Sequence, residues 1–177
     1  MNTPKLICII GAESTGKTTL AQELATQFDC PWVAEYLREF CESHGRTPTR
    51  HEQPLIMETQ VSNEMTAQFA ASQRNRPYVF CDTAPLLTAI YSDFVFQDNS
   101  LYARARALHS RYALTLLLQP DIRWVADGMQ RDGAHVRGPI TALLERELIA
   151  INAPVVRIRG QNEARIQAAT QAIHAIK

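Results

Sequence analysis

The residues most able to do chemistry in this chain lie near its start, where positions 11–18 read GAESTGKT. This run matches the pattern G-x-x-x-x-G-K-[ST], in which backbone N–H groups converge on phosphate oxygens at the N-terminus of a helix. In that pattern Lys17 reaches the β- and γ-phosphates, and the hydroxyl of Thr18 ligates Mg²⁺. The run therefore predicts a site for a nucleoside triphosphate and its metal ion. The predicted nucleotide-binding residues are Gly11, Glu13, Ser14, Thr15, Gly16, Lys17, Thr18 and Thr19.

The segments on either side of this loop predict the elements that must position it. Lys5–Ile10 is short, apolar and rich in isoleucine, which favours a buried strand. After the loop, Leu20, Leu24 and Phe28 are four residues apart, which predicts a helix from Lys17 to Phe28. An ordinary glycine turn needs neither flank, so the context favours a phosphate-binding loop.

A carboxylate, Asp82, is expected at the end of a buried strand over Pro77–Cys81. Ligands of parallel sheets bind at the carboxyl ends of the strands, so Asp82 is expected beside the phosphate loop. There it can hold Mg²⁺ together with Thr18, or accept the proton of a substrate hydroxyl. Thr83 follows as a candidate substrate contact. The alternative is that Asp82 or Thr83 caps a helix beginning near Pro85.

A second carboxylate, Glu35, follows a short predicted strand over Pro31–Ala34. An acceptor substrate in a small kinase lies over this strand end, where a carboxylate can act as general base. Tyr36 and Arg38 are then candidate substrate contacts, and Arg38 can also orient the carboxylate. The alternative is an exposed amphipathic helix with an ordinary ion pair between Glu35 and Arg38. The residues alone leave both readings open, and they leave open whether Glu35 or Asp82 is the base.

A polar, glycine-punctuated segment over about 119–138 is predicted to follow the fourth strand. Its arginines, Arg131 and Arg137 among them, could close over the phosphates as a lid and neutralise charge on the transferred group. Trp124 in this segment could stack on a substrate ring. The alternatives are a solvated surface loop and a tryptophan without contact to substrate.

Composition limits which other classes of function the chain could have. The 177 residues fit one domain over 1–177, and the 18 basic residues balance the 18 acidic ones, so no global field attracts nucleic acid or a membrane. No apolar run approaches the roughly 20 residues that span a bilayer. The first strand begins so early that no signal peptide is expected, which favours the cytoplasm. The cysteines, without metal-ligand or disulfide spacing, are Cys8, Cys30, Cys41 and Cys81.

Strand and helix patterns alternate along the whole chain, which predicts right-handed crossovers in a parallel sheet. A fourth strand over Tyr112–Leu118 is apolar on both faces, as expected for a central strand. A fifth strand, Pro154–Ile158, precedes a last helix over Glu163–Ile176. The predicted fold is α/β: a P-loop NTPase of the nucleoside- and nucleotide-kinase kind, with a five-stranded parallel sheet flanked by helices and a lid.

Four blocks of sequence occur in the same order as in NadR-like proteins: GAESTGKTT at 11–19, EYxREF at 35–40, CDTxxLxTxxYS at 81–92 and WVxDGxxRD at 124–132. Across nearly its whole length the chain resembles the ribosylnicotinamide kinase domain of that family. The resemblance implies transfer of phosphate from ATP, with Mg²⁺, to the 5′-hydroxyl of nicotinamide riboside or a similar nucleoside. A kinase for another nucleoside, nucleotide or vitamin is the near alternative. A regulatory ATPase switch is the distant one, although the chain has no Asn-Lys-x-Asp motif for reading guanine.

Overall fold

A parallel sheet organises the chain in the computed structural model, which describes residues 3–125 and 133–176. Within these residues the sheet has five strands in the order β2-β3-β1-β4-β5, and every neighbouring pair is parallel. The predicted α/β class and five-stranded parallel sheet are confirmed. The strands are β1 Lys5–Ile10, β2 Trp32–Val33, β3 Tyr78–Asp82, β4 Tyr112–Leu118 and β5 Val155–Ile158.

Helices follow the strands and cover both faces of the sheet. They are α1 Lys17–Phe28, α2 Tyr36–His44, α3 Gln53–Gln73, α4 Pro85–Phe96, α5 Tyr102–His109, α6 Arg137–Ala150 and α7 Glu163–His174. Short 3₁₀ helices lie at Arg50–Glu52 and Ala134–Val136. No helix of the described residues has the length and hydropathy needed to cross a membrane.

The alternation of side chains along β1 divides the apolar core between the two faces. Leu6, Cys8 and Ile10 belong to a buried cluster with residues of α3, α4, α5 and α6. Ile7 and Ile9 belong to a second cluster with residues of α1 and α7. A strand buried on both faces has no polar alternation, which explains why β1 reads as a continuous apolar run. The sheet is therefore the middle layer of three.

Several elements differ at their ends from their sequence-based expectations; the last helix, for example, ends at His174 and not at Ile176. β2 is confined to Trp32–Val33, because Pro31 has no N–H to donate; its carbonyl still accepts from Phe80 N at 3.0 Å. The helix expected to begin near Pro85 runs to Phe96 as α4 and ends where Gln97 adopts a left-handed conformation, φ 54°. None of these differences moves the strand ends that carry the predicted site.

Candidate active site

The phosphate-binding loop connects the end of β1 to the start of α1. Gly16, immediately before α1, has φ 80°, and Ser14 has φ 53°, so the loop turns through left-handed conformations. Gly11 has no room for a side chain, since an added Cβ would lie 2.8 Å from the carbonyl oxygen of Leu118. This backbone path is the one in which loop amides can point inward at an anion.

Lys17 and Thr15 fold over the loop. The Nζ of Lys17 donates to the carbonyl oxygen of Ala12 at 3.1 Å, and Thr15 Oγ1 donates to the same oxygen at 2.8 Å. Lys17 is 8% exposed even though it carries a charge. Its ammonium is thus held at the loop and not in bulk solvent, which is where a phosphate-binding lysine is needed.

The two predicted metal-binding residues lie in direct contact. Thr18 Oγ1 donates to Asp82 Oδ2 at 2.6 Å, across 64 positions of sequence. Asp82 is 1% exposed, and its other oxygen, Oδ1, is buried with no hydrogen-bond partner in the part of the chain that the structure describes. An unpartnered buried carboxylate oxygen beside a hydroxyl and a phosphate loop is a donor set that suits Mg²⁺. These residues therefore fit the metal that the motif implies.

Burial, and after it the nearby charge of Glu35, raise the pKa of Asp82 from its ordinary 3.8 to about 6, although Lys17 and the hydrogen bond from Thr18 lower it. Because folding raises this pKa, the ionised carboxylate destabilises the folded state. At pH 4 the folded protein keeps Asp82 protonated and is more stable, and this stability is lost as the pH rises through 6. Replacing Asp82 by Asn should relieve this cost. We expect the unfolding free energy of the variant, relative to wild type, to rise by about 2–3 kcal/mol between pH 4 and 7.

The measurement is chemical denaturation of both proteins in EDTA over that pH range, with Asp93→Asn as a matched control on α4. If the difference in unfolding free energy between Asp82→Asn and wild type does not change with pH, folding does not raise the pKa of Asp82.

The structure excludes the helix-capping alternative for Asp82 and Thr83. The residue preceding α4 is Ala84, and no side chain makes a cap hydrogen bond there within the described residues. Thr83 instead adopts φ 80°, and its N–H donates to the carbonyl oxygen of Ile9 at 2.9 Å. A β-branched residue in the left-handed region is strained, and such strain is often found at functional sites. Thr83 is 5% exposed, beside Asp82.

Glu35 lies at the end of β2, directly before α2, as expected. Its Oε2 pairs with Arg38 Nε at 3.4 Å, and its side chain is 11% exposed. The ion pair of the alternative reading is therefore present, but the carboxylate is largely buried and close enough to Asp82 to raise that pKa. The structure brings the two candidate bases to the same edge of the sheet. Which of them accepts the proton stays a prediction.

Gln60 of α3, which the sequence analysis did not identify, is hydrogen-bonded to the turn that carries Glu35. Gln60 Oε1 accepts from the backbone N–H of Tyr36 at 2.9 Å, and its Nε2 donates to Glu64 Oε1 at 3.4 Å. Both side chains are buried, and Tyr112 Oη donates to Glu64 at 2.9 Å. In the sequence, a glutamine on the apolar face of α3 is the signal that could have identified this support. The hydrogen bond to Gln60 holds the backbone of Tyr36 next to Glu35.

The described ends of the predicted lid are bonded to the phosphate loop. Trp124 Nε1 donates to Glu13 Oε1 at 3.2 Å, and Val125 N donates to Ser14 Oγ at 3.0 Å. Arg137 donates to the carbonyl oxygens of Ile122 at 3.0 Å and Ser14 at 3.3 Å. These described ends are therefore attached to the phosphate loop, while closure of the segment as a lid stays a prediction.

The predictions for the three named residues of this segment have different outcomes. Arg131 falls in 126–132, outside the described residues. Arg137 lies beside the loop as expected, but it is buried and its guanidinium binds backbone carbonyls. Trp124 has its indole N–H on Glu13, while its stacking on a substrate ring stays a prediction.

Arg165, at the start of α7, is a second residue that the sequence did not single out. Its Nε donates to Gly160 O at 2.6 Å, and its Nη2 donates to Gln119 O at 2.8 Å and Asp121 Oδ1 at 2.5 Å. Nη1 donates to the carbonyl oxygen of Thr15 in the phosphate loop. One guanidinium thus joins three turns at the edge of the sheet. No motif marks it, because its partners come from distant segments.

A cavity of about 380 Å³ opens over the loop. Its floor is the loop and the first turn of α1, and its walls come from α2 and from the segment after β4. The lining residues are Ser14, Thr15, Gly16, Lys17, Thr18, Thr19, Arg38, Ile122, Arg123 and Val125. Most of the predicted nucleotide-binding residues therefore lie on one surface, together with Arg38 from the predicted substrate contacts.

Known proteins share this sequence and this architecture. The chain is 27% identical over 160 residues to the trifunctional NAD biosynthesis/regulator protein NadR of Escherichia coli (strain K12), covering 89% of this chain and 39% of that protein. A NadR protein in complex with NR superposes with a TM-score of 0.83 at 23% identity, over 98% of this chain and 52% of the other. The chain therefore spans about two fifths to one half of these relatives.

Deoxyadenosine kinase from M. mycoides, solved with products, superposes with a TM-score of 0.64 at 12% identity, over 97% of this chain and 100% of the other. The resemblance to NadR-like proteins and the P-loop kinase fold are confirmed. The AAA domain family matches residues 6–165, which is most of the chain. The chain thus belongs to the AAA domain family.

Proposed function

We propose that the chain is an ATP- and Mg²⁺-dependent kinase that phosphorylates the 5′-hydroxyl of nicotinamide riboside, giving nicotinamide mononucleotide. The observation that carries the proposal is the contact of Thr18 with Asp82 beside the phosphate loop, with Glu35 close by. A phosphate site next to two carboxylates can position a triphosphate against a hydroxyl acceptor. The NadR relative named for NAD biosynthesis, and the NadR structure with NR, support the choice of acceptor.

In this proposal the chain acts chiefly by positioning and by charge, which is most of what phosphoryl transfer requires. The loop amides and Lys17 hold the triphosphate. Thr18 and Asp82 would hold Mg²⁺, which neutralises charge on the phosphates when it is bound. Because Asp82 is already bonded to Thr18, Glu35 is the better candidate to accept the proton of the attacking hydroxyl.

The likeness to a deoxyadenosine kinase favours a second candidate of the same class, a kinase for another nucleoside. The distant alternative, a regulatory ATPase switch, needs no acceptor. Glu35 argues against it, because a carboxylate at the end of the second strand lies where the acceptor of a small kinase is bound and suits an acceptor hydroxyl.

The test is release of ADP from Mg²⁺–ATP, measured with and without nicotinamide riboside and with a panel of other nucleosides. We expect release to depend on the acceptor and to be fastest with nicotinamide riboside. Rapid release without any acceptor would favour the switch, and a stronger response to another nucleoside would change the assigned substrate.

A further inference from the structure

Two arginines from different elements line the cavity over the phosphate loop. Arg38 comes from α2, and Arg123 comes from the segment after β4; both line the cavity with Lys17 and Thr18. Arg123 is exposed, and its guanidinium makes no hydrogen bond or ion pair with any residue that the structure describes. Its charge is therefore free for a ligand of the cavity.

The backbone on both sides of Arg123 is fixed to the loop. Arg137 donates to the carbonyl of Ile122 at 3.0 Å, before it. After it, Trp124 donates to Glu13 at 3.2 Å, and the N–H of Val125 donates to Ser14 Oγ at 3.0 Å. Because its neighbours are held in this way, a ligand that binds the Arg123 side chain has less backbone freedom to restrict.

The other arginines beside the loop are already bonded. Arg137 is 7% exposed and binds the carbonyls of Ile122 and Ser14. Arg165 is 6% exposed and is bonded through Nε, Nη1 and Nη2. Each would have to give up buried hydrogen bonds to reach a phosphate. Arg123 loses nothing of this kind.

We propose that Arg123 is a catalytic residue that contacts the triphosphate oxygens, a role given by sequence reasoning to Arg131 and Arg137; this inference rests on the proposed kinase function. In the transfer, the bond between the γ-phosphorus and the oxygen of ADP breaks, and a bond to the acceptor oxygen forms. The acceptor proton passes to a carboxylate at the strand ends. Arg123 stays protonated and offsets charge on the transferring group and on ADP.

The test uses Arg123→Ala and Arg123→Lys, with Arg74→Ala as a matched control. Arg74 is likewise an exposed arginine, but it follows α3 at the opposite edge of the sheet. We expect Arg123→Ala to lower kcat roughly 10- to 10³-fold and to weaken binding of Mg²⁺–ATP roughly 10-fold. The melting temperature and the KM for the acceptor should not change, because the side chain is exposed. Lysine should restore part of the loss, since it keeps the charge but not the planar fork.

Arg123→Ala with wild-type kcat and wild-type affinity for Mg²⁺–ATP would overturn the inference. Equal losses in Arg74→Ala would also overturn it, since they would show a general effect of charge. If wild type transfers no phosphate to any acceptor, the kinase proposal fails by itself. The affinities for Mg²⁺–ATP then still decide whether Arg123 touches the triphosphate.

Discussion

Replacing Lys17 by Ala is expected to reduce transfer of phosphate to background while the protein stays folded. The ammonium of Lys17 is the cation that the motif aims at the β- and γ-phosphates, and its loss removes that charge stabilisation from the transferred group. Among the described residues, its side chain is bonded to the fold through the carbonyl of Ala12, so the fold should tolerate its removal. Steady-state turnover with Mg²⁺–ATP and acceptor gives the first readout, and circular dichroism gives the second.

Lys17→Met is the matched variant, because it keeps most of the length of the side chain and removes only the charge. Both variants should be inactive to the same degree. A variant that keeps more than a few per cent of wild-type turnover would mean that the loop does not act on the transferred phosphate.

Glu35→Gln is expected to lower kcat by roughly 10²–10⁴ with the affinity for ATP intact, because the amide keeps the size of the side chain but cannot accept a proton. Asp82→Asn should instead shift the Mg²⁺ concentration needed for half-maximal rate upward. Titration of Mg²⁺ at saturating ATP, and kcat at saturating acceptor, separate the two roles.

One pattern of results from these two variants would contradict the roles assigned to Glu35 and Asp82. If Asp82→Asn loses kcat without a change in Mg²⁺ dependence, and Glu35→Gln requires more Mg²⁺, the two carboxylates have exchanged roles. The contact of Asp82 with Thr18 would then be a link to the base and not a link to the metal.

Much of the fold follows from the sequence because its signals are local. The apolar run of β1, the glycines of the loop and the helical spacing of Leu20 and Leu24 each act over a few residues, and each is found where expected. The meeting of Thr18 with Asp82 is also predictable, since parallel strands place their carboxyl ends at the same edge.

The supporting residues are not predictable in this way. Gln60 and Arg165 act through partners that lie 24 and 150 positions away, and neither belongs to a motif. The free guanidinium of Arg123 and the bonded one of Arg137 look alike in sequence; only their tertiary contacts distinguish them.

The most direct test of the account is to follow radiolabelled γ-phosphate from ATP in the presence of nicotinamide riboside. The account predicts that the label appears on nicotinamide mononucleotide, in amounts equal to the ADP formed, and that Lys17→Ala abolishes this transfer. Label found only as inorganic phosphate, at the same rate with and without the riboside, would contradict it.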